Sequence, residues 1–133
     1  MNITLAQAEQ AVAAAKARAG ELGVRASVAV VDSGGHLVAF ARQDDAILVS
    51  LDMAIGKAYT AIAMRAPTAQ VAAAVQPGAP FYHFDLAHQR PLVAFAGGYP
   101  IGDPMAGGIG ASGGTAEQDD EIAHAGLAAL QAE

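Results

Sequence analysis

Lys57, His83, His88 and Asp119 are the residues of this sequence whose types and settings could support chemistry. Lys57 lies among small and apolar residues, with Met53, Ala54, Thr60 and Ala61 around it at helical spacing. A lysine so placed could act as a base, meet a ligand carboxylate or an acid at a subunit interface, or extend its ammonium to solvent. His83 stands between Tyr82 and Phe84, after the break Pro77-Gly-Ala-Pro80, which sets an imidazole beside aromatic surface. Heme asks for that combination of an axial ligand and an apolar wall. The plainer reading is that His83 covers its own loop. His83 and His88 are five apart and lack the acid of an HExxH arrangement, so a dedicated two-histidine metal site is not indicated. Lys57, His83 and Asp119 are the groups that would converge in an acid–base site acting on a small carboxylate or hydroxy acid. Arg42, Lys57 and Arg90 are the cations available to ligand carboxylates, and Tyr82 is the polar-tipped ring beside His83. Asp32, just before Ser33-Gly-Gly35, reads as a turn-former rather than a catalyst. His36 and His124 read as ordinary surface or partly buried residues. With no cysteine there is no thiolate zinc site, no cysteine nucleophile and no disulfide framework. Nor is there a recognisably ordered Ser/His/Asp set or a Gly-x-Ser-x-Gly motif.

Gly108-Ile-Gly-Ala-Ser-Gly113 matches GxGxxG between a strand and a helix. A dinucleotide fingerprint needs a further strand with an acid about 20 residues on, whereas only a helix follows here before Glu133. Glu117, Asp119, Asp120 and Glu121 would also repel a pyrophosphate. These glycines are therefore expected to serve close packing.

The elements that must position these residues can be read in order. Thr4 to Leu22 has apolar residues at helical spacing, a capping box in Thr4 and Gln7, and Gly23 where a left-handed cap would fall. Ala26–Asp32 and His36–Arg42 form a β-hairpin about the turn glycines. Ser50 to Met64 is a second helix, thin enough at Gly56 and its alanines for another backbone to approach. Thr68 is expected to cap a short helix through about Val75. The loop Phe81–His88 follows and is where a ligand is expected. Leu92–Ala96 reads as a strand, Gly97-Gly98 as a bend and Tyr99–Pro104 as a turn region. Met105–Ser112 reads as a last strand whose Ala106, Gly108, Gly110 and Ser112 make one nearly bare face. Thr115 and Gln118 box the start of a final helix to about Gln131. The expected fold is a single α/β (α+β) domain over residues 1–133, a three-layer α/β/α sandwich around a mainly antiparallel five-stranded sheet.

Composition bounds the partners. Seven basic residues against 13 acidic ones, with no run of Lys or Arg, make nucleic acid a poor partner. The apolar stretches are too short to cross a membrane, and Met1-Asn-Ile-Thr4 does not resemble the start of a signal peptide, so the cytoplasm is the default compartment. Only 15% of the 133 residues are charged, and 34 are alanine. That excess of small apolar residues is expected to reflect surface buried between subunits as well as a core, hence a homo-oligomer.

Taken together, Val30-Val-Asp-Ser-Gly-Gly-His-Leu-Val-Ala-Phe40, Lys57-Ala-Tyr-Thr-Ala61, Arg65-Ala-Pro-Thr68, Val75-Gln-Pro-Gly78, Gly97-Gly-Tyr-Pro-Ile101 and Gly108-Ile-Gly-Ala-Ser-Gly-Gly-Thr-Ala-Glu-Gln-Asp119 resemble, in order, the GlcG/HbpS family, which includes the C-terminal domain of PduO. The resemblance spans nearly the whole chain. It implies a profilin-like sandwich, assembly into dimers or higher oligomers, and in some members heme binding, with roles in redox sensing, heme handling or support of a catabolic pathway. Relatives often carry glycine where this chain has His83, a departure that could create an iron ligand or reshape the pocket.

Overall fold

The computed structural model describes residues 2–131. Helix α1 (Leu5–Leu22) starts at the Thr4 and Gln7 capping box and stops at Gly23, whose φ of 71° lets its amide return to the carbonyls of the last turn. Strands β1 (Ser27–Asp32) and β2 (Leu37–Arg42) form the hairpin. Helices α2 (Ser50–Met64) and α3 (Thr68–Ala74) follow, and then a long loop with one 3-10 turn at Phe84–Leu86. Strands β3 (Gly98–Ile101) and β4 (Gly107–Ser112) and helix α4 (Ala116–Gln131) complete the chain.

The sheet is antiparallel with order β2-β1-β4-β3. Along β4, side chains alternate between faces. Ile109 and Ala111 face the core shared with α1 and α4, while Gly108 and Gly110 meet α2. An added Cβ at Gly110 would stand 2.6 Å from the Ala58 amide nitrogen and closer still to the Ala54 carbonyl, and one at Gly108 would stand 2.7 Å from the Ala58 carbonyl. The glycines of the GxGxxG stretch therefore admit a helix backbone, as the packing reading requires. α1 and α4 cover the other face, giving three layers.

Several expectations need correction. The sheet has four strands, not five. Leu92–Ala96 is not a strand, because its buried start is held by α2: the Val93 amide donates to Thr60 Oγ1 at 2.8 Å, and its side chain fills the notch left by Gly56. The third strand lies instead at Gly98–Ile101, read as bend and turn. Thr68 is the first residue of α3, and its hydroxyl accepts from the Gly98 amide at 2.8 Å instead of capping its own helix. The small-residue excess is also largely accounted for within one chain. Ala8, Ala11, Ala15 and Ala19 of α1 and Ala54, Ala58 and Ala61 of α2 are fully buried in the described chain alone. Among the described residues no helix is long and apolar enough to cross a membrane.

Candidate functional site

Loop 75–97 lies over α2 and carries most of the exposed aromatic surface. It is turn-rich and bonded to itself: Phe81 donates to the Ala74 carbonyl, Phe84 to Phe81 and Leu86 to His83. Two helix hydroxyls, Thr60 and Thr68, fix its far end at Val93 and Gly98. Phe81, Tyr82, Phe84, Leu86 and Phe95 are all exposed, Leu86 by 74% and Phe95 by 63%. Of these, Phe81 and Phe84 meet edge to face, with ring centroids 5.9 Å apart, and exposed apolar side chains concentrated on one segment point to an interaction face.

His83 projects from this face with a φ of 72°, in the left-handed region that favours glycine. The conformation costs a non-glycine residue about 1 kcal/mol or more, and such outliers point toward function. Its ring lies 3.8 Å, centroid to centroid, from that of Tyr82, and among the described residues no hydrogen bond engages it. A cleft of about 320 Å³ runs between the loop and α2, lined by Met53, Val75, Asp85, Leu92, Val93 and Phe95 among others; His83 is not among its lining residues.

A second cluster joins the loop to the hairpin. The Tyr59 hydroxyl and His88 Nε2 are 2.7 Å apart, and the Arg90 guanidinium sits 3.8 Å over the Tyr59 ring. Arg90 Nη1 also donates to the Gly35 carbonyl at 3.2 Å. Gly35 has a φ of 85°, and a Cβ there would stand 2.9 Å from Tyr59 Cδ1, so the turn needs glycine for both conformation and space. Asp32 forms that turn as expected: its Oδ1 accepts from the amides of Gly34 and His36 at 2.9 and 3.0 Å. The His36 amide, above all, holds the Asp32 carboxyl below the usual carboxylate range.

Lys57 and Asp119 come together, but away from solvent. Lys57 is 3% exposed and Asp119 4%. Lys57 Nζ donates to Asp119 Oδ2 and to the Ala111 carbonyl, each at 3.0 Å, and Asp119 Oδ1 accepts from the Gly114 amide at 2.8 Å. Gly97 is pressed against the pair, since a Cβ there would stand 2.9 Å from that of Asp119. The ammonium thus ties α2 to the end of β4 and the first turn of α4; it neither reaches solvent nor presents itself to a ligand. Arg42 is also elsewhere, at the end of β2 away from the hairpin turn, donating through Nε and Nη2 to the Ala46 carbonyl. Of the residues grouped by sequence, the structure assembles Lys57 with Asp119 and His83 with Tyr82, as two separate sets. Tyr59 and Thr60 join the site only in the folded chain. Thr60 carried a faint signal as a hydroxyl on an otherwise apolar helix face, whereas nothing local to Tyr59 points to His88, 29 residues away.

The architecture defines a small α/β/α domain with a four-stranded antiparallel sheet and a histidine-bearing aromatic loop laid over one helix. Residues 3–128 match the family described as Haem degrading protein HbpS-like, and the chain belongs to that family. It is 42% identical over 128 residues to a 15.0 kDa protein of the dhaT-dhaS intergenic region of Citrobacter freundii, covering 95% of this chain and 90% of that one. It is 39% identical over 132 residues to the corrinoid adenosyltransferase PduO of the same organism, covering 98% of this chain but only 39% of PduO. Among solved structures, the PduOC:heme complex superposes with a TM-score of 0.92 at 38% identity, over 97% of this chain and 95% of that one.

Proposed function

We propose that this protein binds heme on the face formed by loop 75–97, with His83 as the iron ligand and Tyr82 beside it. The observation that carries the reading is the near full-length likeness to the PduOC:heme complex. The residues present fit the group: an imidazole without another hydrogen-bond partner among the described residues lies against Tyr82, in a segment that also exposes Phe81, Phe84 and Leu86. Bound heme would supply redox and oxygen chemistry at iron. The chain supplies an apolar wall, one nitrogen donor and, in Arg90, a cation for a heme carboxylate. Lys57 drops out of the ligand set because it is buried against Asp119, and Arg42 because it lies at the far end of β2.

The face is open, whereas heme sites exclude water from most of the ring. A second copy of the chain is proposed to supply the missing wall, which also explains why so much aromatic surface is exposed. The homo-oligomer therefore rests on this loop and not on the alanine-rich helices. Hemin titrated into apo-protein is expected to give a saturable Soret shift that His83→Ala abolishes or moves to a different wavelength. No saturable shift in the unaltered protein would overturn heme binding, and an unchanged shift in His83→Ala would overturn the ligand.

A further inference from the structure

The fold gathers cations that are scattered in sequence. Lys16 on α1, Arg25 before β1 and Arg42 at the end of β2 line one cleft of about 710 Å³, together with Val24, Gln43 and Asp44. Three of the seven basic residues of a chain with net charge -6 thus share one concavity. We propose that this cleft binds a small dianion, a phosphate ester or a dicarboxylate, independently of the heme face.

The way the arginines are held supports this. Arg25 Nη1 donates to the Asp44 carbonyl at 3.1 Å, and Arg42 gives two donors to the Ala46 carbonyl at 3.2 and 2.9 Å. A carbonyl orients a guanidinium without cancelling its charge, so the remaining donors keep their appetite for an anion. Among the described residues the carboxylate paired with Arg25 is Asp45, at 3.8 Å and 88% exposed, a contact that solvent weakens. Lys16 Nζ has no hydrogen bond or ion pair among the described residues. Arg18, two residues along α1 from Lys16 and not part of the lining, shows the opposite arrangement, being engaged by both Glu21 and Glu121.

The C-terminal end of α1 would oppose an anion if its carbonyls were bare. Two of them are occupied, Ala19 by the Val24 amide and Gly20 by the Gly23 amide, and the Lys16 carbonyl beside the cleft accepts from Gln43 Nε2. Asp44 leaves the lining with two net positive charges, which suits a ligand carrying two negative ones. The cleft is open enough for a small molecule to enter and leave, and its charge would raise the local concentration of such ligands at low salt.

Calorimetric titration at low salt and slightly alkaline pH tests this with two probes, inorganic phosphate for phosphoryl ligands and succinate for dicarboxylates. Saturable binding of either one supports the proposal and identifies the source, provided the Lys16→Ala/Arg25→Ala variant weakens it about tenfold or more, the loss expected for charge-assisted hydrogen bonds. Should that variant melt early, Lys16→Glu, one exposed substitution, carries the same test. Failure of both probes to bind, or undiminished binding to a folded variant, overturns the proposal. The hemin titration is expected to be unaltered in these variants, so the fate of the heme face is read separately.

Discussion

The layer holding Lys57 and the loop holding His83 lie on the same side of the sheet, and they treat polar side chains in opposite ways. Under α2, two charges are sealed among glycines and alanines, and each is satisfied: the ammonium by a carboxylate and a carbonyl, the carboxylate also by an amide. In the loop, an imidazole stands exposed among aromatic rings on a left-handed backbone, without a hydrogen bond among the described residues. The first arrangement minimises unsatisfied groups in a place that cannot tolerate them. The second leaves binding capacity unused. The buried pair is therefore architecture, and the exposed imidazole is the group poised for a ligand.

The contrast is sharpest in stability. Lys57→Ala strands the Asp119 carboxylate in the interior, and a loss of about 3–5 kcal/mol is expected. Denaturant unfolding of this variant beside His83→Ala, which should unfold close to the parent, measures the difference; equal effects would erase the distinction. Gly110→Ala forces a methyl into the α2 backbone and is expected to cost about 1–3 kcal/mol, readable as a lower melting temperature. An unaffected melt would mean that β4 and α2 are not in contact there.

Tyr99 extends the comparison to the far side of the sheet. Burial, with its bond to Asp120 at 2.8 Å, pushes the phenol up to about 12 from its ordinary 10. Because the unfolded chain releases this proton first, stability from Tyr99 is complete below pH 10 and declines as pH rises toward 12. Tyr99→Phe should remove that alkaline decline and cost about 1 kcal/mol at neutral pH. The smallest effect is expected at His83→Gly. Relief of the left-handed backbone should stabilise the fold by a few tenths of a kcal/mol to about 1, while hemin binding is lost. Opposite signs in stability and binding would separate the loop from the core more cleanly than either measurement alone.

Local signals carried much of this fold. The capping boxes at Thr4 and Thr115, the Gly23 stop and the Asp32 turn all appear where short-range chemistry placed them. The bare face of β4 also correctly announced a backbone partner. What failed depended on contacts distant in sequence. Leu92–Val93 is apolar like a strand, yet a notch at Gly56 and the Thr60 hydroxyl, more than 30 residues earlier, claim it for a helix. Thr68 resembles a cap, yet Gly98 takes its hydroxyl. Site residues were legible as types, and of the groupings distant in sequence only Lys57 with Asp119 was legible, though with His83 wrongly joined to them. Tyr59 with His88, and Lys16 with Arg25 and Arg42, are brought together only by tertiary packing.

Hydrogen–deuterium exchange with and without hemin tests the division between scaffold and binding face most directly. Added hemin is predicted to slow exchange at amides of residues 81–95 while leaving the β4 and α2 amides around Lys57 at their already slow rates. Hemin protection that bypasses the loop and falls elsewhere would contradict the assignment of this face.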